Sequence, residues 1–288
     1  MSDLLREPDP RQTFNAYLDT QKVYDVRLRK LLFDVMRQVD EDLKDITGTS
    51  ISAKIGEDQA LALKQSIHRR LSLLFSREGD LIQAGKEDAA AAAVRAFTNY
   101  EAMLLQNVMT KSALAEYIAS AQATARIGVD AAMQRVMGNS YRRLAESVYG
   151  THNLAKGYVD RLVETAIARG WSARDLAARV KSMINPNVAG GVSYAAQRLA
   201  RTEINNAFHS VSTAKYQDSP YVTGVTWHLS GSHPEGDECD VLAAGGPYPK
   251  DKVPDKPHPL CFCYITPEVM SEDEFLDFFF SSQGTRVQ

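Results

Sequence analysis

Apolar side chains recur at steps of three and four through most of the first 150 residues, and that period commits this part of the chain to long amphipathic helices. In residues 11 to about 47 the positions are Tyr24, Leu28, Leu31, Leu32, Val35, Val39, Leu43 and Ile46, which share one helix face. Gly48-Thr49-Ser50 is the expected end. A second run, Leu61, Ile67, Leu71, Leu74 and Phe75, stops near Gly79 in this reading. A third starts at Lys86, includes five consecutive alanines (89–93) and continues to Val108; its helix propensity alone is high. From Lys111 to Tyr149 the pattern passes through Leu114, Tyr117, Ile118, Ala121, Val129, Met133, Val136, Met137, Leu144 and Val148, interrupted only by Gly128 and Gly138. One very long helix or two pieces both fit. Such stripes form the core of a bundle within one chain or the seam of a coiled coil with a partner.

The first 230 residues contain no glycine-rich phosphate loop, no GxSxG elbow and no HExxH motif, so this part offers no recognisable catalytic apparatus. A net charge of −3 weighs against a basic nucleic-acid coat. No apolar run approaches the roughly 20 residues of a membrane-spanning helix, and the start, MSDLLREPDP, lacks the apolar stretch of a secretory signal. Three cysteines, an odd number late in the chain, do not make a disulfide framework. The expected compartment is a reducing cytosol or a particle assembled there.

Beyond Gly150 the helical units shorten. One ends at Gly170. The next is capped by Ser172 with Asp175 in capping-box position and is stopped by Asn185-Pro186. Ser193 is a candidate cap for a helix reaching about Tyr216. On it Arg198, Arg201, Asn205 and His209 lie three or four apart on one face. That stripe either holds a neighbouring loop, through Arg201 and Glu203, or is a solvated face with a surface His209. Residues 221–229 are β-branched and aromatic and read as a strand, with Phe262, Tyr264 and Ile265 as a return strand. Ser271 to Glu274 forms a capping box before a short phenylalanine-rich helix, and the tail from Ser281 is expected to be loose. The fold class expected is mainly α: a long-helix region (1–150), a helical connector (151–191) and a small α+β domain (192–288).

All three cysteines and two of the six histidines fall within residues 233–263, and five of the eleven prolines fall between Pro247 and Pro259. The prolines imply a pinned loop rather than a helix. Cys239, His258, Cys261 and Cys263 supply the donor types of a Cys3His zinc site, with His233 or Asp237 as substitutes. Cys261 and Cys263 point to one side of an extended strand but stand too far apart to chelate without a local turn. Small buried cysteines ordered by the prolines are the alternative without metal. Six acidic residues against three lysines between His233 and His258 disfavour a phosphate-binding enzyme.

Leu199-Ala200-Arg201-Thr202-Glu203, the Trp227 strand, Asp237-Glu238-Cys239 and the closing His258-Pro259-Leu260-Cys261-Phe262-Cys263 together resemble the C-terminal domain of the phage Mu protein F-like head morphogenesis family. The resemblance covers residues 193–267, about a quarter of the chain. Two positions depart from the family pattern: Leu242 stands where a second cysteine is common, and Phe262 replaces a basic residue between the last two cysteines. The resemblance implies a non-enzymatic minor capsid protein of a tailed bacteriophage, present in few copies at the portal vertex. Its partners would be the portal and other head proteins, with at most weak contact with packaged DNA, no membrane and no small-molecule substrate. It would reside in the virion, assembled in the bacterial cytoplasm. Two rivals remain: a metal-dependent nuclease or toxin-like enzyme built on the His/Cys loop, and a zinc-stapled adaptor with a coiled-coil arm.

Overall fold

The computed structural model describes residues 10–48, 52–106, 108–121 and 140–282. The protein is mainly helical, with a small antiparallel sheet near the C-terminus. The helices are α1 (Pro10–Thr47), α2 (Glu57–Leu105), α3 (111–121), α4 (Ser140–Arg169), α5 (Ala173–Ile184), α6 (Gly191–Asp218), α7 (Glu238–Gly245) and α8 (Glu272–Ser282). The strands are β1 (Val222–His228), β2 (Tyr248–Pro249) and β3 (Tyr264–Val269).

The helix ends follow local chemistry. α1 stops at Gly48, whose φ of 58° is the left-handed conformation glycine adopts without penalty. Its N–H donates to the Lys44 carbonyl at 2.8 Å. Gly170, φ 66°, closes α4 in the same way. Ser172 and Asp175 cap α5 reciprocally, and Ser271 and Glu274 cap α8. Interior glycines behave differently. α2 runs through Gly79 and α4 through Gly150, correcting the expected breaks there, because one glycine costs a helix only about 1 kcal/mol. Gly128 and Gly138 lie outside the described residues, as do Thr49, Ser50 and the tail beyond 282.

The contacts divide the chain into two compact units, each assembled from separated stretches. One comprises residues 1–21, 86–138 and 204–288; the other comprises 22–85 and 139–203. Among the described residues the regular structure of the second unit is helical, apart from an isolated bridge between Lys54 and Ser172. Its core joins Leu32, Leu63, Leu71 and Leu74 to Val159, Val163, Leu176, Val180 and Ile184. Polar pairs brace it: Arg70 donates to Asp42 at 2.8 and 2.9 Å, and Lys181 to Asp40 at 2.7 Å. Arg201, expected to hold the cysteine loop, donates instead to Asp25 at 2.9 Å.

At the turn into α6, Gly191 has a φ of 69°, and a Cβ there would stand 2.8 Å from the Met183 carbonyl oxygen. α6 therefore begins at Gly191, and Ser193 lies inside its first turn, donating to the Asn185 carbonyl at 2.9 Å rather than capping the helix. Gly191→Ala is expected to destabilise the protein by about 1–3 kcal/mol, since both the conformation and the space oppose a side chain. Urea unfolding followed by circular dichroism measures it; an unchanged midpoint would contradict this account.

In the first unit the sheet has the order β2-β1-β3, antiparallel throughout. Trp227 pairs with Ile265 and His228 with Tyr264, confirming the return strand. Phe97, Tyr100, Leu104, Tyr216, Val225, Trp227, Ile265 and Phe275 pack into one core with the three cysteines. Tyr221 donates to the Glu101 carboxylate, and burial pushes Glu101 above the usual carboxylate range.

Candidate metal centre

The segment between β1 and β3 is more ordered than a proline-pinned loop. It contains α7 and the short β2, a correction to the expected irregular structure. Asp237 accepts from the Cys239 N–H at 2.8 Å, and Asp240 accepts from the Asp237 N–H at 3.1 Å, which completes a capping box. This places Cys239 in the first turn of α7, facing inward and fully buried. Leu260, with a φ of 60°, turns the chain just before Cys261.

Cys239, Cys261 and Cys263 are all buried, and their sulfurs lie within 4.8 Å of one another. Cys239 Sγ stands 3.4 Å from Cys261 Sγ and 3.4 Å from His258 Nε2. A second group overlaps the first: Asp237, Cys239 and His258 also lie within 4.8 Å, with His258 Nε2 3.2 Å from Asp237 Oδ2. A third joins His233 to Asp237 and Asp240, at 3.7 and 3.1 Å. Cys239 thus links the thiol triangle to the His258 side, and Asp237 links His258 to His233. The cluster could hold a metal ion. Among the described residues no single group joins all four expected donors: the three cysteines form one, and His258 joins only Cys239 and Asp237 in another.

The protonation pattern suits a metal ligand set. The Cys261 thiol donates toward Cys263, which holds Cys263 below the usual thiol range, and the Ser230 N–H at 3.5 Å adds to this. That same hydrogen bond, together with burial, raises Cys261. Burial pushes Cys239 up to about 12. One thiolate is therefore favoured without a metal, while the other two thiols wait on a cation to ionise.

Lys256, which the motif reading passed over, is a cation that interacts with all three cysteines. Its Nζ donates to the Cys261 carbonyl at 3.3 Å and to the Cys263 carbonyl, and it sits 5.8 Å from the Trp227 ring centre. Burial lowers its pKa to about 8, against the opposing pull of the three cysteines. Its only trace in the sequence is a lysine two residues before His258.

The α6 stripe holds this module through Asn205 and His209. Asn205 Nδ2 donates to the Cys261 carbonyl, and His209 Nε2 lies 2.9 Å from the Pro254 carbonyl. His209 is buried, not superficial; burial holds it neutral with a pKa near 3, and its ring packs against Trp227 at 5.6 Å. Phe262 lies 6.1 Å from the Tyr17 ring, and Leu242 packs against the core around the cysteines. The two departures from the family pattern thus fill apolar positions.

Fold and site together define a class: a helical protein with a small three-stranded module closed around buried cysteines. No family model, curated protein or solved structure matches the chain. Among the described residues no helix is long and apolar enough to cross a membrane.

Proposed function

We propose that the chain is a structural, non-enzymatic head protein of a tailed bacteriophage, of the phage Mu protein F-like kind, and that its cysteine module holds one structural zinc. The observation that carries the reading is convergence. Asp237, Cys239, His258, Cys261 and Cys263 are the residues behind the resemblance, and they fall in two groups that share Cys239.

Two of the donor spacings, both from Cys239, support zinc. Bonds of about 2.3 Å to sulfur and about 2.0 Å to nitrogen in a tetrahedron place sulfurs about 3.8 Å apart, and sulfur and nitrogen about 3.5 Å apart. The 3.4 Å separations from Cys239 to Cys261 and to His258 are close to both. His258 Nδ1 lies 3.0 Å from the Pro259 carbonyl. A proton donated there leaves the Nε2 lone pair toward Cys239, the tautomer that a ligand histidine needs. Zinc with three thiolates and one imidazole carries a net charge of −1, which the Lys256 ammonium offsets. Lys256→Met is expected to weaken zinc binding about tenfold or more, the scale for a residue supporting metal ligands, measured by competition with a chromophoric chelator. Unchanged affinity would remove Lys256 from the centre.

The head-protein role is tested by co-expression with the adjacent portal gene. The expected result is co-purification with the portal, together with only weak binding to duplex DNA at physiological salt, given the net charge of −3. Absence from purified heads would overturn the role. Nuclease activity lost with Cys261→Ser in a still-folded protein would replace it with an enzyme.

A further inference from the structure

In the second unit a cleft of about 500 Å³ opens between α4, α5 and the start of α6. Its walls include Leu154 and Tyr158 from α4 and Val188 from the connector before α6. Leu154 is 77% exposed, Tyr158 45% and Val188 41%; Tyr194, in the first turn of α6, is 49% exposed. Single exposed apolar residues are ordinary, but a group of them around one cleft marks an interaction surface.

The cleft is also positively charged. Arg161 and Arg179 line it. Arg161 lies 5.8 Å from the Tyr158 ring centre and Arg179 lies 4.1 Å from that of Trp171. Among the described residues neither guanidinium has a carboxylate within 4.0 Å. Asp160 is engaged with Lys64 at 2.9 Å and His68 at 3.0 Å; Asp175 is held by Ser172 and interacts with Arg179 only through its charge. α6 begins at the cleft with no acidic side chain in its first turn, so its positive end has no countercharge there.

We propose that this cleft docks an amphipathic segment of a partner protein, with leucine- or phenylalanine-type anchors flanked by carboxylates. The apolar walls take the anchors. The two arginines and the α6 terminus take the carboxylates, and this complementarity selects acidic over basic partners. A protein segment fits because three exposed apolar residues, Leu154, Tyr158 and Val188, line the cleft together with the two arginines. The inference stands on these residues and does not depend on the zinc or head-protein reading.

The test uses the full chain and a fluorescein-labelled 15-residue helical peptide, leucine at every third and fourth position and glutamate elsewhere, in fluorescence anisotropy. The same peptide with lysine for glutamate is the control. The acidic peptide is expected to bind about tenfold more tightly or better, a difference of about 1.4 kcal/mol. Arg161→Ala with Arg179→Ala should remove that preference while leaving the unfolding midpoint in place. Equal binding of the two peptides, no binding at all, or a preference that survives the double substitution would each overturn the proposal. So would binding to anionic phosphatidylglycerol vesicles in place of the peptide. Concentration-dependent self-association abolished by Leu154→Asp would also overturn it, by making the cleft a contact between two copies.

Discussion

If the proposed zinc is bound, Cys261→Ser is expected to release it, collapse the near-ultraviolet signal of Trp227 and leave most of the far-ultraviolet helical signal in place. Cys261 is buried and 3.4 Å from Cys239, and Trp227 packs in the same core. Binding of a structural zinc is worth about 10–16 kcal/mol in small metal domains, so loss of one ligand from four should dominate the local stability. The helices of the other unit draw their stability from their own core, Leu32 through Ile184, and should persist. Elemental analysis of the wild type should give one zinc per chain, and a chelator should reproduce the spectroscopic change. If the cysteines are instead only packed, the wild type will contain no zinc and Cys261→Ser will cost about 1–3 kcal/mol, the range of an ordinary substitution at a packed site. That result would sink the metal centre and spare the fold.

The other large effect is expected at Glu78, in α2. Its side chain is fully buried, and neither carboxylate oxygen has a hydrogen-bond partner among the described residues. Burial pushes its pKa up to about 8 from an ordinary value of 4.5, so the folded protein holds a proton there that the unfolded chain releases. Below about pH 4.5 both states are protonated and the site costs nothing through ionisation. As pH rises from 4.5 towards 8 the unfolded state ionises first, and stability falls. Glu78→Gln removes the titration and keeps the shape. Wild type and variant should match near pH 5 and diverge to on the order of 3 kcal/mol at pH 8, with the variant more stable. Urea midpoints at the two pH values decide it; a difference independent of pH would mean that Glu78 does not titrate with folding.

What was legible in the sequence is local in origin. The three-and-four spacing of Tyr24 through Ile46 defined α1, because a helix of that period has one face that must be buried. Ser172-Asp175 and Ser271-Glu274 marked helix starts, because a cap is satisfied within four residues of itself. Asp237 and Asp240 have the same spacing, so α7 was also readable; the surrounding prolines hid it. The donors of the candidate metal centre were legible as residue types.

Tertiary structure alone decided which of them meet. Cys261 and Cys263 follow the turn at Leu260, and Cys239 reaches them because α7 packs its first turn inward. It also decided that Asn205 and His209, rather than Arg201, hold the module, since a helical stripe names a face without naming what covers it. Gly79 and Gly150 sit inside helices because packing along the whole helix outweighs about 1 kcal/mol of local propensity. Lys256 and Glu78 are ordinary letters in the chain. One becomes the cation beside three sulfurs and the other a buried acid, because desolvation and proximity are properties of the packed molecule and not of the residue.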